Sequence, residues 1–203
     1  MDQRSPEWFA ERCGKVTASR VSDIIAKTKS GYSSSRANYM AQLVCERATG
    51  IVEPSFTNAA MEWGTEKEPM AREAYSVKTG NLVTEVGFIR HPYLEAGASP
   101  DGMAGNNLIE IKCPNTATHI DTLLSKTVPT KHITQMQFQM ACTGALWCAY
   151  VSYDPRMEPR LQLFIKRVER DAEYIKELEG EVSEFLVELN IKINKLKEIN
   201  NGI

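Results

Sequence analysis

Near the C-terminus, hydrophobic side chains recur every three or four positions between residues 170 and 199. This spacing places them on one face of a long amphipathic helix. The face could form the seam of a coiled coil or pack across the sheet of its own domain, which is the commoner outcome. The recurring positions are Ile175, Leu178, Val182, Phe185, Leu189, Ile193 and Leu196.

The rest of the chain mixes helical spacing with the every-second-residue pattern of strands. Helices are predicted at 6–13, just after Thr17, and at 36–49, 59–78, 116–125 and 131–143. Strands are predicted at 82–90, 99–104, 108–112, 146–153 and 160–168. Loops at 27–36 and 51–58 are too short to separate two domains. We therefore predict one α/β (α+β) domain over residues 1–203, with a central mixed sheet flanked by helices and a long C-terminal helix.

The stretch 98–114 carries the main candidate chemistry. Glu110 and Lys112 alternate with isoleucines, so in an extended strand the carboxylate and the amine share one face. A Gly-Asn-Asn turn signal folds 99–104 back as a partner strand and brings Asp101 beside Glu110. Two carboxylates and an ammonium group at one point suit Mg²⁺ binding and water activation. The alternative is a solvated hairpin face with a cross-strand Glu–Lys pair.

Two of the predicted helices carry polar residues on apolar stripes. Glu68 shares a stripe with Ala71 and Tyr75, and a partly buried carboxylate needs a partner. The alternative is a surface helix that is simply rich in acids. Gln135 shares a stripe with Gln139, so these amides are either satisfied core groups or groups that orient a ligand.

The composition is that of an ordinary globular protein, with 42% hydrophobic and 25% charged residues. The sequence has no run of about 18 apolar residues, which excludes a membrane span. Its N-terminus lacks the apolar core of a signal peptide, so we expect a cytoplasmic protein without a membrane partner. Five cysteines without C-x-x-C spacing favour reduced core thiols over disulfides or a zinc site.

The charge distribution bears on a nucleic-acid partner more than the net charge of −2 does. Residues 1–50 carry eight Lys or Arg against five Asp or Glu, a balance of +3. Residues 169–203 carry five against nine, a balance of −4. This asymmetry is compatible with a local DNA-binding surface.

Short motifs follow one another in a distinctive order along the chain. They are Trp63-Gly64-x-x-x-Glu68, Ser99-Pro100-Asp101-Gly102, Glu110-Ile111-Lys112-Cys113-Pro114, Gln135-Met136-Gln137 and Tyr153-Asp154-Pro155-Arg156-Met157, preceded by Trp8, Arg12 and Thr17-Ala18-Ser19. In this the chain resembles the PD-(D/E)xK nuclease superfamily. It is most similar to the lambda-exonuclease or YqaJ-type viral recombinase nucleases, over roughly residues 5–190.

The resemblance implies a restriction-endonuclease-like sheet and a site for two Mg²⁺ ions, with Mn²⁺ as a substitute. Lys112 would orient or deprotonate the attacking water, and we expect desolvation beside metal ions to lower its pKa. Gln135 would orient a ligand or water. The implied metal ligands are Asp101, Glu110, Glu68 and the backbone carbonyl of Ile111.

The resemblance also implies a pocket for a terminal 5′-phosphate. Arg12, Ser19 and Ser99 would line it, because an arginine fork and two hydroxyls suit a phosphate group. The family pattern has a further arginine where this chain has Thr118, and the neighbouring His119 is the other candidate for that place.

Two more positions match family residues that contact DNA. Met61 matches an apolar wedge at the DNA fork, and Lys29 matches a basic loop position near the duplex groove. Core packing for Met61 and a solvated side chain for Lys29 are the alternatives.

This family branch digests double-stranded DNA from 5′-phosphorylated ends and releases 5′-mononucleotides. It works as a ring-shaped homotrimer, and a single-strand annealing protein receives the 3′ overhang. We therefore expect a Mg²⁺-dependent 5′-to-3′ exonuclease of phage-type recombination. The alternatives are a same-fold endonuclease or RecB-like nuclease module that cuts internally, and a non-catalytic DNA-binding or annealing partner.

Overall fold

The computed structural model describes residues 2–52 and 58–201, so most of the loop predicted at 51–58 lies outside the described residues. The helices are α1 (Pro6–Arg12), α2 (Val21–Ile25), α3 (Ser34–Thr49), α4 (Ala59–Thr79), α5 (Thr116–Ser125), α6 (Thr130–Thr143) and α7 (Ala172–Asn201). A 3₁₀ turn over Ala18–Arg20 precedes α2. Within the described part of the chain, no helix combines the length and apolar character that crossing a membrane would require.

The strands form one larger mixed sheet and two small ones. They are β1 (Val16–Thr17), β2 (Lys27–Thr28), β3 (Gly31–Tyr32), β4 (Ile89–Arg90), β5 (Ala96–Ala98), β6 (Gly102–Ala104), β7 (Asn107–Lys112), β8 (Trp147–Tyr153) and β9 (Leu163–Glu169). The larger sheet has the order β6-β7-β8-β9, in which β7 and β8 are parallel and the outer pairs antiparallel. A second sheet has the order β1-β5-β4, and β2 pairs with β3. The predicted α/β architecture with a mixed sheet and a long C-terminal helix is confirmed.

Strand β7 lies between two helices. Ile109 and Ile111 belong to a buried cluster with Tyr75 of α4, whereas Leu108 belongs to a cluster with Met136 of α6. The alternation along β7 therefore distributes its side chains between two covered faces. A polar residue on the α6 face of this strand must find its partners inside the protein.

The structure decides between the two interpretations of the C-terminal helix. Leu178, Val182 and Phe185 of α7 are buried in one cluster with residues of α2, α3 and α6. The Phe185 ring stacks on Tyr39 at a centroid distance of 5.8 Å. This part of α7 packs on its own domain, while Leu196 near the helix end is 47% exposed.

Two sequence-based assignments of local structure are wrong. The strand predicted over 82–90 is reduced to β4, with one isolated bridge between Thr84 and Met103. The partner strand β6 is only three residues long, so it offers this segment little backbone to pair with. The loop predicted at 27–36 contains the short β2–β3 hairpin.

The segment predicted as one strand over 99–104 serves two sheets. Only its second half, β6, pairs with β7, while β5 just before it pairs with β1 and β4. Ser99, Pro100 and Asp101 thus form the junction between the two sheets. This junction places the Asp101 carboxylate at the end of β7.

The prediction that the cysteines are core thiols holds for three of the five. Cys113, Cys142 and Cys148 are buried, Cys13 is half-buried and Cys45 is exposed. All five are free thiols.

Strand β5 requires a residue without a side chain at Gly97. A Cβ there would come within 2.3 Å of the Phe88 ring and 2.6 Å of the Ile89 carbonyl oxygen. We expect Gly97→Ala to lower the free energy of unfolding by about 1–3 kcal/mol, as overpacking does. Gly180→Ala in α7 is the matched control, because nothing lies within 4 Å of its added Cβ. Chemical denaturation of both variants tests this, and equal stability of the two would contradict it.

Candidate active site

The hairpin of β6 and β7 brings two carboxylates together. Gly102 pairs with Ile109, so the residue before it, Asp101, falls opposite Glu110. The amide nitrogen of Ile111 donates a 2.6 Å hydrogen bond to Asp101 Oδ2. The main chain of β7 therefore holds one carboxylate in place while a side chain of β7 supplies the other.

The Glu110 side chain is completely buried and fully hydrogen-bonded. Its Oε1 accepts from Gln135 Nε2 at 2.6 Å and from the Lys112 ammonium group. Its Oε2 accepts from Gln139 Nε2 at 2.6 Å. The Glu110 end of the predicted Glu–Lys pair thus lies in the interior with two amides from α6, while Lys112 is partly exposed, and this contradicts the alternative of a solvated hairpin face.

The Asp101 carboxyl group is unfavourably placed for a negative charge. Burial is the largest cause that raises its pKa well above 3.8, and the charges of Glu110 and Glu68 raise it further. The Lys112 ammonium group and the Ile111 amide act in the opposite direction without cancelling the effect. The ionised form of Asp101 is therefore disfavoured, first by burial and then by the two neighbouring carboxylates.

The expected lowering of the Lys112 pKa depends on metal ions beside the amine and stays a prediction. Burial alone would lower the pKa, but the Glu110 and Asp101 carboxylates outweigh it and raise the pKa of Lys112. The expectation assumed metal ions beside the amine, whereas its neighbours in the structure are carboxylates with the opposite effect. Lys112 is therefore protonated at neutral pH in this environment.

Glu68 lies near the carboxylate pair but is held by arginines. Its Oε1 accepts from Arg72 at 2.7 Å, and its Oε2 lies 3.5 Å from the Arg4 guanidinium. Over residues 2–52 and 58–201, no group of three or more His, Cys, Asp or Glu side chains is arranged to hold a metal ion. The structure brings together Asp101, Glu110, Lys112 and Gln135, and leaves Glu68 at their edge.

The chemistry of the donor set nevertheless fits a hard divalent cation. Asp101 and Glu110 offer carboxylate oxygens, which Mg²⁺ prefers. Burial and the charges of Glu110 and Glu68 raise the pKa of Asp101, and a bound cation would favour its ionised form. We therefore retain Asp101 and Glu110 as the residues suited to hold a metal ion.

Three residues implied for the phosphate pocket lie near one another. The indole nitrogen of Trp8 donates to Ser99 Oγ at 2.9 Å, and the Arg12 guanidinium lies 3.8 Å from the Trp8 ring centroid. Thr17 pairs with Gly97 across β1 and β5, and the Oγ of the exposed Ser19 lies 3.4 Å from Thr17 Oγ1. Trp8 is thus the residue that connects Arg12 to Ser99.

The two candidates for the missing arginine are placed very differently. His119 is fully buried, and its two ring nitrogens contact Ser152 Oγ and the Leu161 carbonyl oxygen, each at 2.8 Å. This contradicts His119 as a phosphate ligand, because no ring nitrogen remains for one. Thr118 is exposed in the first turn of α5.

The two implied DNA-contacting residues are both on the surface. Met61 lies in the first turn of α4 and is 49% exposed, so it is not a core residue. Lys29 lies in the exposed turn between β2 and β3.

The contacts of three further residues of the site were not predicted from the sequence. Gln139 follows Gln135 by one helical turn, and that spacing was the available signal for its contact with Glu110. Arg72 likewise follows Glu68 by four residues. Gln3 donates to the carbonyl oxygens of Val86 and Pro100 at 2.9 and 2.8 Å, a contact that no local pattern indicates.

Comparison with known proteins identifies the family. The family model described as YqaJ-like viral recombinase domain matches residues 7–146. No protein of curated function is significantly similar in sequence. An alkaline exonuclease (LHK-Exo) from Laribacter hongkongensis is 52% identical, with a TM-score of 0.91, over 98% of this chain and 99% of that chain. A structure of LHK-Exo in complex with dAMP matches equally well.

A more distant structure agrees on the fold alone. A phage-related exonuclease from Haemophilus somnus 129PT is 15% identical, with a TM-score of 0.73, over 90% of this chain and 96% of that chain. The family model spans more than half of the chain, and the 52% identical structure spans nearly all of it. The chain therefore belongs to the YqaJ-like viral recombinase domain family.

Proposed function

We propose that this protein is a Mg²⁺-dependent 5′-to-3′ exonuclease that acts on double-stranded DNA with 5′-phosphorylated ends. The observation that carries the proposal is the buried Glu110 carboxylate, which Lys112 and Gln135 hold by hydrogen bonds. It lies beside the Asp101 carboxyl group, whose pKa is raised by burial and by neighbouring carboxylates. A structural ion pair would not require a second, poorly neutralised carboxylate at the same point. The 52% identity to an alkaline exonuclease supports a nuclease acting on DNA.

We assign Asp101, Glu110 and the Ile111 carbonyl to one Mg²⁺ ion, and Glu68 to a second ion, with Mn²⁺ as a substitute for either. When bound, such ions supply Lewis-acid stabilisation of phosphate charge and an acidified water. Glu68 would first have to exchange its contacts with Arg72 and Arg4. Because Arg4 lies 3.5 Å away with an exposed side chain, its contact is the weaker one to give up.

Lys112 and Gln135 both contact Glu110 Oε1 and are partly exposed, so we assign them to the side of Glu110 that faces the substrate. The protonated Lys112 amine offsets phosphate charge and orients the attacking water. Cation binding would offset the charges of Glu110 and Asp101 that raise the Lys112 pKa, and this would favour release of the Lys112 proton. Gln135 has no titratable group, so its amide orients Glu110 or water.

The proposed products are 5′-mononucleotides and a duplex with a 3′ single-stranded overhang. The binding of dAMP by LHK-Exo supports a site that accommodates a nucleoside monophosphate. The exposed Met61 is proposed to separate the strands at the fork, and Lys29 to contact the backbone. Assembly as a homotrimer and delivery of the overhang to a single-strand annealing protein complete the proposal and rest on the family.

Dependence on a DNA end tests this function against internal cleavage. With Mg²⁺ and purified protein, a linear 5′-phosphorylated duplex should lose acid-insoluble label, whereas a closed circular duplex should survive. EDTA should stop the reaction. Cleavage of the circle would favour the same-fold endonuclease or RecB-like module instead.

Arg12→Ala tests the phosphate pocket. Its guanidinium lies against Trp8, which holds Ser99, so its loss should remove the fork that recognises the terminal phosphate. We expect the ratio of rates on 5′-phosphate and 5′-hydroxyl ends to fall towards one, with cleavage retained. Arg20→Ala is the matched control, because Arg20 contacts Asp23 and Gln42 instead. An unchanged end preference in Arg12→Ala would remove the pocket assignment.

A further inference from the structure

One amide in the site is buried in an unusual way. Gln139 is completely buried in α6, and its Nε2 donates to Glu110 Oε2 at 2.6 Å. Its Oε1 is also buried and has no hydrogen-bond partner among the described residues. A hydrophobic side chain of similar size would avoid this unpaired carbonyl oxygen. Over the described ranges, the one hydrogen bond of the Gln139 side chain goes to Glu110.

A second buried glutamine on the same helix shows the difference. Gln137 is 2% exposed, and both ends of its amide are satisfied. Its Nε2 donates to the Glu169 carbonyl oxygen at 2.8 Å, and its Oε1 accepts from the Asp171 amide at 2.9 Å. Gln137 thus joins α6 to the segment just before α7, whereas the Gln139 amide donates a hydrogen bond to the Glu110 carboxylate.

The contacts divide the two oxygens of Glu110 between two sides. Lys112 and Gln135, both partly exposed, act on Oε1, while the fully buried Gln139 acts on Oε2. Rotation of the carboxylate about its last bond would break both sets of contacts. The charge of Glu110 also sets the direction of the Gln139 amide, since a reversed amide would point an oxygen at an oxygen.

We propose that Gln139 is a positioning residue that fixes the Glu110 carboxylate for divalent-cation binding. The inference rests on the proposed function, because it assumes that Glu110 is a metal ligand. With Oε2 held on the buried side, Oε1 is the oxygen presented to the site. Without Gln139, the carboxylate can rotate, and the binding geometry is populated for only part of the time.

Mn²⁺ binding in the absence of DNA provides the test. By isothermal titration calorimetry, Gln139→Met should bind Mn²⁺ about 10–100-fold more weakly than the wild type, the usual loss on removing a residue that orients a ligand. Gln137→Met is the matched control and should retain the wild-type Kd. In nuclease assays the Mg²⁺ concentration for half-maximal rate should rise in Gln139→Met, with KM for DNA unchanged.

The outcomes separate the inference from the function it rests on. Wild-type affinity for Mn²⁺ in a folded Gln139→Met protein, or equal losses in the Gln137 and Gln139 variants, would overturn the positioning role and leave the nuclease assignment intact. Absence of Mn²⁺ binding by the wild type would overturn both. If Gln139→Met fails to fold, Gln139→Asn, whose shorter amide stays polar but cannot reach Oε2, is measured in its place and must show the same loss.

Discussion

Replacing Lys112 with alanine is expected to lower the rate of DNA cleavage by about 10²–10⁴-fold, the usual contribution of a positioned proton-transfer group. The amine is the cation that contacts the buried Glu110, and it also acts on Asp101. Its loss removes the group that would orient the attacking water and offset phosphate charge. Single-turnover degradation of a linear, 5′-phosphorylated duplex measures the effect on the chemical step.

The control for this variant is a lysine on the same sheet. Lys166 in β9 donates to the Lys126 carbonyl oxygen and is exposed, so Lys166→Ala should cleave at the wild-type rate. Circular dichroism establishes that both variants are folded. Unchanged activity in Lys112→Ala would favour the remaining alternative, a DNA-binding or annealing partner without catalysis.

Asp101→Asn is expected to abolish cleavage and to stabilise the protein at neutral pH. The substitution removes a carboxylate ligand but retains an oxygen that can accept from the Ile111 amide. It also removes a half-buried negative charge beside Glu110, where burial and the Glu110 charge raise the pKa of Asp101. We expect the free energy of unfolding to rise, because the variant no longer has to hold a carboxylate in an environment that disfavours its charge.

The pH dependence of this gain has a definite sign. A carboxyl group with a raised pKa contributes its full stability below the ordinary value of 3.8 and loses it as the pH rises through the raised pKa of the folded state. The stability difference between Asp101→Asn and the wild type should therefore be small near pH 4 and grow towards neutral pH. Urea denaturation at a series of pH values measures it.

Mg²⁺ provides the control for the same pair of proteins. Saturating Mg²⁺ should stabilise the wild type, by about 2.7 kcal/mol at one hundred times the Kd, and leave Asp101→Asn nearly unaffected. A variant that is less stable than the wild type at every pH would show that the Asp101 charge is well accommodated. It would also remove the argument that the Asp101 carboxylate is destabilised in the absence of a bound cation.

Local patterns predicted most of the architecture of this protein. The spacing of three and four defined α7, and the helical pattern over 59–78 predicted α4, which ends just before Gly80 with its φ of +73°. The alternation around Glu110 placed it on one face of a strand with Lys112. These predictions succeed because a helix and a strand each impose a fixed periodicity on the side chains that they bury.

The identity of each contact across the site could not be predicted in this way. Glu68 was expected beside Asp101 and Glu110, but its nearest partners are Arg72 on its own helix and Arg4 from the N-terminal segment. His119 is adjacent in sequence to an exposed residue and is itself enclosed by β8 and the loop before β9. A sequence pattern specifies which face a residue occupies, and not which distant segment covers that face.

The sequence by itself determined the order of the elements, the strand that carries Glu110 and Lys112, and the family. Only the tertiary structure decided that Glu110 is completely buried, that Gln139 holds its second oxygen, and that the Lys112 pKa is raised. The physical reason is that the two kinds of information act over different distances along the chain. Periodicity arises from neighbours within a few residues, whereas hydrogen bonds and charge interactions depend on distances between segments that folding alone brings together.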